Sequence, residues 1–294
     1  MSLLKGASTG VAVITPFTHE GAVDFDALKR IIHFLIDQGI DFLVALGTTG
    51  ESVTLNKDEQ QAIFATFTRE VNGRIPLVMG LGGNNTAALI HEFQQIDPKG
   101  FDAILSVTPY YNRPSQEGLY LHYMALDAVT PLPLIMYNVP ARTGVNMTAE
   151  TTLRLANDSQ HIFAIKDASG DLKQGEKIIA NAPEGFLVLS GDDETAIPLT
   201  LTGGNGVISV AAGGFPKTFS AGIQAAIANN AEKANQIKDK LLPVIDLLFM
   251  EGNPAGIKAV SALKNLSTDI VRLPLVKASE GLTAALRPFV EQLD

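Results

Sequence analysis

The stretch DFDALKRIIHFLIDQGIDFLVAL (residues 24–46) holds one full structural period of this chain. Leu28, Ile31, Ile32 and Leu35 recur at helical spacing, so residues 24–39 read as an amphipathic helix. Gly39 stands where a helix hands over to the next element, the usual place for a C-terminal glycine. FLVAL (42–46) then runs apolar without alternation, as a parallel strand covered on both faces does. A helix, a glycine turn and a doubly covered strand together point to a parallel sheet wrapped in helices.

The same period repeats outward in both directions. Further strands are expected at GVAVI (10–14), PLVMG (76–80), DAILSV (102–107) and PLIMY (133–137). IFAIK (162–166), FLVLS (186–190) and GVISV (206–210) complete the set. LNKDEQQAIFATFTREV (55–71) is another intervening helix, and Gly100 and Gly185 repeat the role of Gly39. Eight strand–helix units are the count of a (β/α)8 TIM barrel, typically about 250 residues long. The surplus of this 294-residue chain falls at its end, where residues 231–294 read as helices without strands. The expected organisation is a barrel over 1–230 and a C-terminal helical extension over 231–294, in one structural unit. A doubly wound open sheet is the competing architecture.

Composition removes whole classes of function. A net charge of −9 argues against nucleic acid or an anionic membrane surface as partner. The absence of cysteine excludes disulfides, thiolate metal sites and cysteine nucleophiles. No apolar run approaches the ~20 residues of a membrane span. MSLLKGASTG lacks the basic start and apolar core of a signal peptide, so a cytoplasmic location is expected. The five histidines are scattered without ligand spacing, GLGGNN (80–85) fails the dinucleotide fingerprint, and GDLKQGEK (170–177) has Glu176 where a phosphate loop needs lysine. Neither metal nor cofactor is expected.

In a barrel of this kind the chemistry lies at the C-terminal ends of the strands. Those ends carry GTTGES (47–52), TPYYNRP (108–114), YNVPARTG (137–144), Lys166, SGDD (190–193), and Ile208 with Ser209. Each has an ordinary explanation. GTTGES can be a turn with Ser52 or Thr54 near a helix start. Tyr110 and Tyr111 can be loop aromatics, Arg142 a surface arginine, and Asp192 and Asp193 the acidic start of a helix. Lys166, closing an apolar strand, either snorkels into water or is a desolvated amine kept for covalent chemistry.

Free lysine, with pKa ~10.4, is only about 0.04% amine at pH 7. Burial disfavours the ammonium, and a fall to ~7–8 would leave a useful fraction to form an imine with a ketone. The protonated imine acidifies the adjacent carbon, and the proton transfers need a relay. No histidine or glutamate is read at the strand ends, so the hydroxyls of Tyr137, Tyr111 and Thr49 are the candidates. Arg142 would hold a carboxylate through paired hydrogen bonds. The rim thus reads as a metal-free keto-acid aldolase.

Taken in order, GTTGES, VTPYYNRPSQEGLY (107–120), YNVPARTG, IKDASGD (165–171) and GVISV resemble the 4-hydroxy-tetrahydrodipicolinate (dihydrodipicolinate) synthase family, over essentially the whole chain. This family belongs to the class I aldolases related to sialic acid lyase. The resemblance implies that Lys166 forms an imine with pyruvate and Tyr137 relays protons. Thr48 or Thr49 would complete the relay with a Tyr111 reaching the site of a neighbouring subunit. Thr48 and Thr49 would hold the pyruvate carboxylate, and Gly191 and Ile208 would line the substrate site. Arg142 would take the carboxylate of L-aspartate 4-semialdehyde, giving 4-hydroxy-tetrahydrodipicolinate on the route to lysine and diaminopimelate. No cofactor beyond the covalent imine is implied, and the family is usually a homotetramer made of two tight dimers.

The sister lyases of sialic acids or 2-keto-3-deoxy sugar acids share Lys166 and Tyr137, but usually lack the arginine matching Arg142. A catalytically dead barrel is a third possibility, against which the retained relay residues count. Lysine-inhibited relatives bind lysine between subunits through a tyrosine and an asparagine matching Tyr110 and Asn84. They add an acidic residue where this chain has Ala88, and a histidine where it has Lys57. Weak or absent inhibition by lysine is therefore expected, unless Glu92, one turn beyond Ala88, takes the acidic role.

Overall fold

The computed structural model describes Leu4 and residues 6–293. Its eight strands are β1 (Thr9–Ala12), β2 (Phe42–Ala45), β3 (Leu77–Gly80), β4 (Ala103–Val107), β5 (Leu134–Asn138), β6 (Ile162–Asp167), β7 (Leu187–Ser190) and β8 (Val207–Ser209). All pair in parallel with their sequence neighbours, and β8 closes back on β1. This is the expected (β/α)8 barrel, not the open doubly wound sheet.

The barrel helices are α1 (Phe25–Asp37), α2 (Lys57–Val71), α3 (Thr86–Gln95), α4 (Gln116–Asp127), the single turn α5 (Pro140–Thr143), α6 (Ala149–Asp158), α7 (Leu172–Asn181), α8 (Ala196–Leu201) and α9 (Pro216–Ile227). Beyond them come α10 (Ala231–Met250), α11 (Ala255–Leu263) and α12 (Glu280–Gln292). In α1 the residues at helical spacing are the buried ones, and Asp24 caps the start by accepting from the Ala27 N–H. Gly39 follows at φ +84°, a left-handed conformation that a side chain would strain.

Strand parity divides the core in two. Phe42, Val44, Leu105, Ile135, Ala164 and Leu189 belong to one cluster, inside the barrel. Leu43, Ile104, Met136, Ile165 and Val188 belong to a larger one, under the helices. Both faces of each strand are thereby dry, which explains the unbroken apolar runs. It also means that any polar side chain at an inward position near a strand's C-terminal end is held in the barrel mouth.

Candidate active site

Two such positions meet. The β5–β6 register sets Tyr137 opposite Lys166, in the parity of the inward Ile135 and Ala164. Lys166 is only 4% exposed, and its Nζ lies 4.3 Å from the centre of the Tyr137 ring. The lysine does not snorkel. Gly191, just past β7, explains how it fits: a Cβ there would stand 2.8 Å from Lys166 Cε and 2.9 Å from Cγ. Ile208, on β8, is fully buried in the same inner cluster.

The loop after β2 bends back over this mouth as two single 3₁₀ turns, Thr48–Gly50 and Ser52–Thr54. Thr49 is buried and its Oγ1 accepts a hydrogen bond of 3.1 Å from Asn253 Nδ2. The carbonyl of Asn253 in turn receives a long contact, 3.5 Å, from Arg142 Nη2. Arg142 itself is exposed, on the single turn α5 just after β5, and it lines the cavity. Tyr111 is 89% exposed and holds a left-handed φ of 72°. In one chain it is therefore not packed with Lys166 and Tyr137. A cavity of about 1620 Å³ is lined by Thr48, Tyr137 and Arg142, and also by Lys57, Ala88 and Glu92.

Residues 6–293 match the Dihydrodipicolinate synthetase family. The chain belongs to this family. It is 47% identical over 285 residues to a 4-hydroxy-tetrahydrodipicolinate synthase of Flavobacterium psychrophilum, covering 97% of each chain. A solved relative is the chloride-inhibited dihydrodipicolinate synthase of Acinetobacter baumannii complexed with pyruvate. It superposes with a TM-score of 0.92 at 40% identity, over 97% of both chains. The enzyme of Cyanidioschyzon merolae with lysine bound gives 0.93 at 34% identity, over 98% of both.

Within this family scaffold, the structure corrects several readings of the strand ends. Neither Ser52 nor Thr54 starts α2. Asn56 does, in a capping box with Glu59. Asp192 accepts from the N–H and hydroxyl of Thr195, whereas Asp193 turns inward to accept from the N–H groups of Val210 and Ala211. Burial pushes the Asp193 carboxyl up to about 6. A glutamate does lie at a strand end, since Glu51, inside GTTGES, is buried. Its partner Lys258 and the Thr49 partner Asn253 come from the C-terminal helical region, more than 200 residues away in sequence. No local pattern marks them.

Proposed function

We propose that this chain joins pyruvate to L-aspartate 4-semialdehyde through an imine on Lys166, giving 4-hydroxy-tetrahydrodipicolinate. The observation that carries the residue assignment is the buried Lys166 amine, held over the Tyr137 ring in a channel kept open by Gly191. The Lys166 amine adds to C2 of pyruvate, and loss of water leaves the imine. Loss of a proton from C3 then gives the enamine. That carbon attacks the aldehyde, the new alkoxide takes a proton, and the amino group of the semialdehyde displaces Lys166 from C2 to close the ring. Tyr137 and Thr49 relay the protons through hydroxyls that donate and accept. The imine is the electron sink, so no cofactor is required.

In the same proposal Thr48 and Thr49 hold the pyruvate carboxylate, and Gly191 and Ile208 form the wall beside it. Arg142 takes the second carboxylate, and the Tyr111 of a neighbouring copy completes the relay. The exposed Tyr111, strained at positive φ, supports a role between copies, in a homotetramer of two tight dimers. Among the described residues no helix is long and apolar enough to cross a membrane, and the proposed place of work is the cytoplasm. The test is a direct assay. Pyruvate and aspartate semialdehyde should be consumed together, and N-acetylneuraminate should not be cleaved. Cleavage of the sialic acid without condensation would replace the synthase by its sister lyase.

Lysine should leave this activity almost unchanged. The acidic partner of bound lysine is Ala88 here, and Glu92, one turn further along α3, is already paired with Lys57. Lys57 thus acts less by repelling an incoming ammonium than by occupying Glu92. Missing a charge-assisted hydrogen bond costs about 1.5–3 kcal/mol, roughly ten- to a hundredfold in affinity. The expected initial rate at saturating pyruvate changes less than about twofold over physiological lysine. Strong partial inhibition would show that Glu92 leaves Lys57 for the ligand.

A further inference from the structure

Glu51 sits between the two 3₁₀ turns of the β2 loop, in a left-handed conformation at φ 53° that a side chain rarely adopts. Its backbone serves both turns. The N–H donates to the Thr48 carbonyl at 3.1 Å, and its carbonyl accepts from the N–H and the hydroxyl of Thr54, each at 2.9 Å. Its carboxylate is wholly buried and accepts from two donors beyond the barrel: the ammonium of Lys258 on α11, and the backbone N–H of Arg272 at 3.0 Å. Lys258 is wholly buried too. It also donates to the Ile270 carbonyl at 2.8 Å and lies 4.1 Å from the centre of the Phe17 ring. Burial pulls the Lys258 amine down to about 8, and the Glu51 carboxylate opposes that fall.

Such a pair is poorly explained by stability alone. Desolvating two charges offsets much of their attraction, and apolar residues of similar volume often serve as well. What apolar packing lacks is direction. Here the carboxylate has separate donors on α11 and on the chain leading to α12, so both its position and its orientation are fixed. The strained backbone at Glu51 carries that constraint to Thr49 and Thr48, two and three residues away.

We infer that the buried Glu51–Lys258 pair is a positioning device for the first substrate, holding Thr48 and Thr49 in register for the pyruvate carboxylate. The inference rests on the proposal that pyruvate binds at those threonines. It makes the C-terminal helical region part of the active-site framework, since α11 supplies Lys258 and the segments flanking it supply Asn253 and Arg272. Glu51 and Lys258 are positioning residues, and neither need touch substrate.

The test compares wild-type enzyme, Glu51→Gln, Lys258→Met and the double variant Glu51→Leu/Lys258→Met. Each is followed by thermal melting, by KM for both substrates, and by borohydride trapping at limiting pyruvate. Glu51→Gln should raise KM for pyruvate about tenfold and slow trapping to match, as loss of a charge-assisted contact predicts. KM for aspartate semialdehyde should stay within about twofold. The double variant should recover the melting temperature without recovering KM for pyruvate. If its KM and melting temperature recover together, the pair is only packing and the inference fails. It also fails if folded Glu51→Gln traps pyruvate like the wild type. A wild type that gives no adduct would instead remove the functional reading beneath it.

Discussion

Lys166→Ala should leave a folded protein that pyruvate and borohydride no longer label, with turnover lower by about a thousandfold or more. The imine cannot form without an amine at that point, and neither water nor Tyr137 can supply one. Lys258 is the instructive rival. It too is buried, and its amine is pulled down to about 8, so its chemistry is favourable. Its surroundings are not. Glu51, the Ile270 carbonyl and the Phe17 ring enclose its Nζ, and its side chain has no exposed surface through which pyruvate could arrive. Lys173 has the opposite defect, being exposed on α7. Lys166 is buried beside Tyr137, which itself lines the cavity. Mass spectrometry of the reduced adduct decides the matter, and a label on Lys173 or Lys258 would refute the assignment.

The barrel was legible because both faces of every strand are dry. That leaves unbroken apolar runs, and the observed strands fall within two residues of those runs at either end. Lys166 was legible as an exception to the same rule, an ammonium at the end of a run that should hold none. Gly191 could be named at a strand end, but its reason is spatial: the lysine stem of one strand passes where the Cβ of the next would be. Glu51 was hidden differently. A glutamate in a glycine-rich turn looks solvated, and only the fold reveals that α11 closes over it. Ser52 and Thr54 resembled caps because their hydroxyls suit that role. The tight double turn places α2 farther on, and Asn56 takes the cap.

Arg142→Ala should lower kcat/KM for aspartate semialdehyde about ten- to a hundredfold, while KM for pyruvate changes little. The guanidinium lines the cavity on the exposed turn after β5, whereas the Lys166 and Thr49 side chains are buried. Substrates entering in sequence would therefore meet separate charges, the first held deep and the second at the mouth. The contact of Arg142 Nη2 with the Asn253 carbonyl, 3.5 Å, is too long to hold the guanidinium rigidly. It leaves most of the donors free for a carboxylate. Exposure of Arg142 in one chain places the expected loss toward the lower end of the range, because solvent screens the pair. A neighbouring copy closing over the mouth would move it toward the upper end. Arg142→Lys should recover little, since a point charge cannot reproduce two parallel hydrogen bonds. Trapping of pyruvate at Lys166 should be normal in both variants, which separates loss of the second substrate from damage to the site. An Arg142→Ala enzyme with unchanged kcat/KM for the semialdehyde would mean that another group receives its carboxylate.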